Sequence, residues 1–174
     1  MRHHFHTELE LLLPIDEVFA FFSEAGNLER ITPPELRFRI LTPQPFVIQA
    51  GSLIDYRLSL FGLPFGWRTR ITVWEPPRRF VDVQLRGPYK EWVHTHTFDA
   101  IGPRRTRIRD DVHYRLPFAP IGDLMAPVTR RQITRIFAYR EQAVRWLIDP
   151  VRTDQVRTGT SGTGRVRTGT TTSG

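Results

Sequence analysis

His94 and His96 stand two residues apart in the run Trp92-Val93-His94-Thr95-His96-Thr97-Phe98. Residues two apart on a β-strand share a face, so both imidazoles lie with Trp92 and Phe98, opposite Glu91, Val93, Thr95 and Thr97. The bulk of Trp92 and Phe98 marks theirs as the inward face. The preceding run joins through Gly87-Pro88 and places Phe80, Asp82 and Gln84 inward. The following run offers Ile108, Asp110, Val112 and Tyr114. Two histidines, two aspartates and a glutamine thus converge on one aromatic-walled space. Burying such groups without partners costs on the order of several kcal/mol, so they must bond to one another, to water or to a ligand.

Three chemistries suit that set. A histidine oriented by a buried carboxylate is a proton-transfer unit, with His94 or His96 as base and Asp82 or Asp110 as the orienting group. Two histidines and one carboxylate are also a metal-ligand set. Any His-x-His on a strand has this spacing, however, with side chains starting about 7 Å apart, and no metal is expected. The plainest alternative is a hydrogen-bonded Asp–His network that ties three strands together. There is no cysteine, hence no disulfide, thiolate site or Cys nucleophile. Neither a serine elbow nor a Gly-rich phosphate loop is present, so no cofactor is expected. His3, His4 and His6 read as solvated residues.

The elements that must hold these groups follow from periodicity. Phe5 to Leu11 alternates as a half-buried strand, and Asp16 to Phe22 reads as a short helix with Val18, Phe19 and Phe22 inward, closed by Gly26. A second helical turn, Asn27 to Ile31, stops at Thr32-Pro33-Pro34. From Leu36 to Leu116 about six strands are separated at Pro43–Pro45, Gly62–Gly66, Pro76-Pro77, Gly87-Pro88 and Gly102-Pro103, a meander of antiparallel strands. Its earlier strands supply Ile54, Tyr56 and Leu58, then Trp67, Thr69 and Ile71. A long helix follows, with Leu124, Val128, Ile133, Ile136, Phe137, Arg140, Val144 and Leu147 as its inner face and a kink or fresh start at Pro127. The fold class is α+β: a curved antiparallel sheet of about seven strands wraps the long C-terminal helix, with two short helices after the first strand. One helix cannot fill that concave face, and the gap is a ligand cavity.

This order, with LPIDEVFAFFSEAGNLERITP, GPYKEWVHTHTF and the terminal ITRIFAYR, resembles the helix-grip superfamily of START domains, polyketide cyclases/dehydratases and birch-pollen-allergen-like proteins (SRPBCC). The resemblance spans residues 5 to about 148. It is nearest to the bacterial ligand-binding members without a settled activity, and more distant from the coenzyme Q-binding and CO-dehydrogenase-accessory branches. It implies a hydrophobic cavity for lipids, quinones, polyketides or hormones, and only some members are enzymes. The expected partner is accordingly a small hydrophobic ligand, touching Tyr56, Trp67, Ile71, Asp82, Gln84, Trp92, His94, His96, Phe98, Asp110, Tyr114, Phe137 and Arg140. Arg140 either anchors a carboxylate or ketone of the ligand, or it snorkels to the rim or pairs with a buried aspartate. Thr32–Glu35, Gly62–Gly66 and Leu116–Gly122 are expected to frame the entrance. The alternative is a cyclase/dehydratase-like enzyme using His94, His96, Asp82 and Asp110. A second alternative is a basic protein acting on ribosomes or RNA.

The net charge of +7 bears on that last alternative. Part of it belongs to the stretch from Val151, where Arg152, Arg157, Arg165 and Arg167 face only Asp154. The rest is spread along the chain, and Lys90 is the only lysine, which reads as base-composition bias and not as a phosphate-binding face. A nucleic-acid partner is therefore not expected, and the oligomeric state is left open. Leu11–Leu13 is too short for a signal-peptide core or a bilayer span, so a soluble, cytoplasmic protein is expected. Residues 1–150 form the domain. Residues 151–174, made of Val, Arg, Thr, Gly and Ser with Val-Arg-Thr recurring, read as a disordered basic tail. Truncation after Pro150 is expected to leave the thermal unfolding midpoint unchanged; a loss of several degrees would mean that the tail docks on the domain.

Overall fold

The computed structural model describes residues 1–118 and 120–148, so the boundary at Pro150 and the tail lie outside the described residues. The chain opens with β1 (Arg2–Leu11), then α1 (Ile15–Ser23) and α2 (Ala25–Arg30). Six strands follow: β2 (Arg39–Ile40), β3 (Leu53–Leu60), β4 (Leu63–Glu75), β5 (Arg79–Arg86), β6 (Glu91–Gly102) and β7 (Arg105–Arg115). The last element is α3 (Ala126–Ile148). All seven strands form one curved sheet in the order β1-β7-β6-β5-β4-β3-β2. Every neighbouring pair is antiparallel, and β1 returns to lie beside β7. No helix among the described residues is long and apolar enough to cross a membrane.

The alternation read from sequence is borne out where it matters most. Along β7, Thr106, Ile108, Asp110, Val112 and Tyr114 are buried while their neighbours are not, and along β6 the buried residues are His94, His96 and Phe98. Three boundaries differ. Gly26 does not close α1; it lies inside α2, and Glu24 in extended conformation separates the two helices. The β3–β4 break is only Phe61-Gly62, both at positive φ (51° and 80°), a tight turn whose twist matches the flanking strands. Gly66 therefore sits within β4 and not in a loop. In β4 the register shifts between Ile71 and Val73, so inward pointing passes from Ile71 to Trp74, which packs on Phe19 and Phe80.

The sheet grips α3 unevenly. One end is filled with side chains from β1, α1, β6, β7 and the last turns of α3, among them Leu11, Val18, Phe19, Phe98, Ile108 and Val144. Phe19 and Phe22 both meet Phe98 with ring centroids 5.2 and 5.5 Å apart. Thr106 donates its hydroxyl hydrogen to the Leu13 carbonyl at 2.8 Å, fixing the passage from β1 to α1. On α3 the buried stripe is Thr129, Ile133, Phe137 and Val144. Leu124 and Val128, expected on that stripe, are exposed. Leu124 belongs to the 3-10 turn Ile121–Met125, so the helical phase does not reach back to it, and Pro127 stands in the first turn of a helix starting afresh. Phe98→Ala should cost about 3–5 kcal/mol in denaturant unfolding, the usual penalty for emptying a buried phenyl site.

Candidate functional site

Away from that packed end, the concave face of β3–β6 and the middle of α3 enclose a cavity of about 180 Å³. Its far wall is aromatic and aliphatic: Ile54, Tyr56, Leu58, Trp67 and Ile71 from β3 and β4, with Trp92 from β6. Trp67 meets Trp92 edge-on at 5.4 Å between ring centroids and stacks with Tyr56 at 5.7 Å. Ile133, Ile136, Phe137 and Arg140 of α3 close the near side, and α1 and α2 add Phe21, Phe22 and Leu28. Of its polar groups, Thr69, Asp82, His94 and His96 lie side by side on neighbouring strands, while Glu24, Asn27 and Thr32 border it from the side of α2.

Nine of the thirteen expected site residues line this cavity: Tyr56, Trp67, Ile71, Asp82, Trp92, His94, His96, Phe137 and Arg140. The other four do not. Gln84 turns to the β5–β6 hairpin, donating to the Tyr89 carbonyl at 2.7 Å and accepting from its amide at 3.4 Å. Gly87 leaves room for that side chain, since a Cβ there would collide with Gln84. Phe98 belongs to the packed end, and Tyr114 packs behind Trp92 and Tyr89. Asp110 stands behind the histidines, one layer from the cavity. Of the expected entrance segments Thr32 borders the cavity, whereas none of the described residues of 62–66 or 116–122 does. Phe38, Ile48 and Tyr89 line it and were missed. Phe38 and Ile48 flank irregular chain without a period, and Tyr89 lies in the Gly87-Pro88 turn, where only its nearness to Trp92 hinted at a wall.

The polar cluster is a ring of four. His94 Nε2 donates to Asp110 Oδ1 at 2.8 Å, and His96 Nε2 donates to Asp82 Oδ2 at 3.2 Å. The opposite nitrogens face the opposite carboxylates: His94 Nδ1 is 3.5 Å from Asp82 Oδ2, and His96 Nδ1 is 2.8 Å from Asp110 Oδ1. That last contact is close but not aligned as a hydrogen bond, so His96 Nδ1 counts as unpartnered. The two imidazole centroids are 3.7 Å apart, and Phe80 stacks on His96 at 4.0 Å. Thr69 donates toward Asp82 Oδ1 at 3.3 Å.

Four ring nitrogens thus face carboxylate oxygens, while two neutral imidazoles supply only two N–H groups. Burial weighs against charge on every member. For Asp110 and Asp82 the facing imidazoles outweigh burial, and both carboxyls are held below their usual range. Burial and then the neighbouring His96 push His94 down, while Asp110 and Asp82 together override burial and raise His96. Two donors that line the cavity also lack partners: Trp67 Nε1 and Arg140 Nε are buried with no hydrogen-bond partner among the described residues. The Arg140 guanidinium carbon lies 4.8 Å from the Phe137 ring centroid, and the arginine forms no ion pair with the buried aspartates.

The gripped helix and the cavity beside it define a helix-grip fold. Residues 12–137 match the family described as polyketide cyclase / dehydrase and lipid transport, and the chain belongs to that family. No curated protein matches it in sequence. Among solved structures it is similar to an aromatase/cyclase from a Streptomyces species: 18% identity, 83% of this chain and 95% of that one covered, TM-score 0.62. A START superfamily protein from Mycobacterium smegmatis gives 13% identity, coverage of 88% and 99%, and TM-score 0.60. Norcoclaurine synthase from Thalictrum flavum, in complex with dopamine and hydroxybenzaldehyde, gives 14% identity, coverage of 84% and 88%, and TM-score 0.61. At these identities the likeness is one of fold.

Asp110→Ala would leave the buried His94 Nε2 without its acceptor and remove the carboxylate beside His96 Nδ1. The expected loss is about 3–5 kcal/mol in chemical denaturation, the range for breaking a buried charge pair from one side. A loss below about 1 kcal/mol would mean that the ring of four contributes little to the fold.

Proposed function

We propose that the chain binds a small, mainly apolar molecule in the cavity between its sheet and α3. The observation that carries this reading is the cavity itself, walled by Trp67, Trp92, Tyr56 and Ile71 and bordered on one side by polar groups. Left empty, 180 Å³ of apolar space represents a liability on the order of 4 kcal/mol. Dry cavities of about 150 Å³ hold a benzene-sized molecule, so this one suits a single ring or a short chain. The unpartnered donors Trp67 Nε1 and Arg140 Nε favour a ligand with at least one oxygen acceptor. Similar structures are described as an aromatase/cyclase and as a synthase holding two single-ring aromatics, which agrees with a ligand of this size.

The His–Asp contacts beside the cavity favour a second reading, an enzyme of cyclase/dehydratase type that moves a proton on a bound enolisable ketone. The two readings part in one experiment. Protein purified without denaturation is expected to carry a small organic molecule, seen as a mass increment in native mass spectrometry and lost on unfolding. Trp92→Ala should weaken its retention at least several-fold by removing part of the wall. Binding without conversion of any β-polyketone would leave a carrier or sensor. Turnover lost in His94→Ala and His96→Ala, with binding kept, would establish the enzyme. A protein that is free of ligand and takes up no apolar probe contradicts both.

A further inference from the structure

We propose that Asp82 Oδ2, His94 Nδ1 and His96 Nε2 are the protein ligands of one divalent first-row transition ion, with Zn²⁺ as the simplest occupant. One atom from each residue lies within 4.8 Å of the others, all three residues sit on neighbouring strands, and all three border the cavity. The inference is independent of whether the cavity holds an organic molecule.

Two of the three edges between the ligand atoms are close to those around a bound zinc ion, and the third lies within 4.8 Å. Four-coordinate zinc with ligand bonds of about 2.0–2.1 Å has ligand–ligand edges of about 3.3–3.4 Å. The two edges at Asp82 Oδ2 are 3.5 Å to His94 Nδ1 and 3.2 Å to His96 Nε2, on either side of that value. The non-ligating nitrogens, His94 Nε2 and His96 Nδ1, both lie 2.8 Å from Asp110 Oδ1. Metal-bound histidines commonly give their second N–H to a carboxylate, which fixes the tautomer and the ring. Here Asp110 accepts from His94 Nε2 and stands close to His96 Nδ1 without the alignment of a hydrogen bond. The division of labour also accounts for the burial pattern, since Asp82 borders the cavity and Asp110 does not.

Charge complementarity points the same way: with both imidazoles neutral, the carboxylates of Asp82 and Asp110 balance the two positive charges of a divalent ion, so the buried set carries no net charge. The remaining coordination position faces the cavity, where water or a ligand oxygen completes the shell. Imidazole and carboxylate donors without thiolate suit Zn²⁺, Co²⁺, Fe²⁺ or Ni²⁺ and leave alkaline-earth ions disfavoured.

The test titrates Co²⁺ into chelator-stripped, full-length protein and follows its visible d–d absorption. A competing histidine group must be separated, because on the outer face His4 and His6 both contact Asp111 at 2.9 Å. The expected result is one Co²⁺ per chain with the intense absorption of low coordination number, displaced by one equivalent of Zn²⁺. His94→Ala, His96→Ala and Asp82→Asn should each abolish that band, and Asp110→Asn should weaken affinity by about ten- to a hundred-fold. The double variant His4→Ala/His6→Ala should keep the ion and its spectrum. If the buried substitutions unfold the chain, this surface variant decides alone, since it retains every buried group. Absence of stoichiometric Co²⁺ binding, or loss of the band in the surface variant, overturns the proposal.

Discussion

A seven-stranded sheet curled around one helix has more concave face than the helix can cover. An α-helix presents a stripe about 10 Å wide to a neighbouring layer, whereas this sheet wraps from β1 to β2. At one end the shortfall is made up by α1 and by large side chains, so that Phe19, Phe22, Phe80, Phe98 and Trp74 pack against one another. At the other end Tyr56, Trp67, Tyr89 and Trp92 pack along the sheet as a wall and leave space between themselves and α3. The cavity is what remains, and the positions of the two short helices, the bulge in β4 and the stripe of α3 follow from how the chain divides filled space from open space.

That division also places the polar ring of four. His94 and His96 are at the middle of β6, between Asp82 on β5 and Asp110 on β7, where the packed end meets the cavity. There the low dielectric makes each charge costly alone and strongly coupled to its partners. A network tying three strands together and a reactive or metal-binding site open to a ligand are not competing uses of it. Groups held rigidly enough to accept a proton, an ion or a ligand oxygen without rearrangement must be held by their neighbours.

Much of this was legible in the sequence because strands alternate faithfully. The period of two through Trp92–Phe98 and Ile108–Tyr114 was enough to bring His94, His96, Asp82 and Asp110 together, and the element order was enough for the fold. The failures have local causes. Sharing the inward face did not separate the cavity wall from the packed end, so Phe98 and Tyr114 were assigned to the ligand although neighbouring side chains cover them. Gln84 faces inward in register but is drawn to the Tyr89 backbone by a turn whose hydrogen bonds no periodicity reveals. Phe38 and Ile48 come from irregular chain, which carries no facing rule. Leu124 was placed by extending a helical phase through a 3-10 turn that resets it, and Val128, in the first turn of α3, stands beside the buried stripe that begins at Thr129 and not on it.

Uptake of a small apolar molecule into the space bounded by β3–β6 and α3, as proposed above, would be reported directly by the isoleucines. Ile31, Ile48, Ile54, Ile71, Ile133 and Ile136 line the cavity, whereas Ile108 is equally buried in the packed end and Ile101 and Ile121 are exposed. Methyl NMR of isoleucine-labelled protein, titrated with a single-ring apolar probe such as a substituted phenol, separates these groups. The account predicts saturable shifts at the six lining methyls, with Ile108, Ile101 and Ile121 left in place. Shifts spread over exposed methyls, or none at the six up to the solubility limit of the probe, would contradict it.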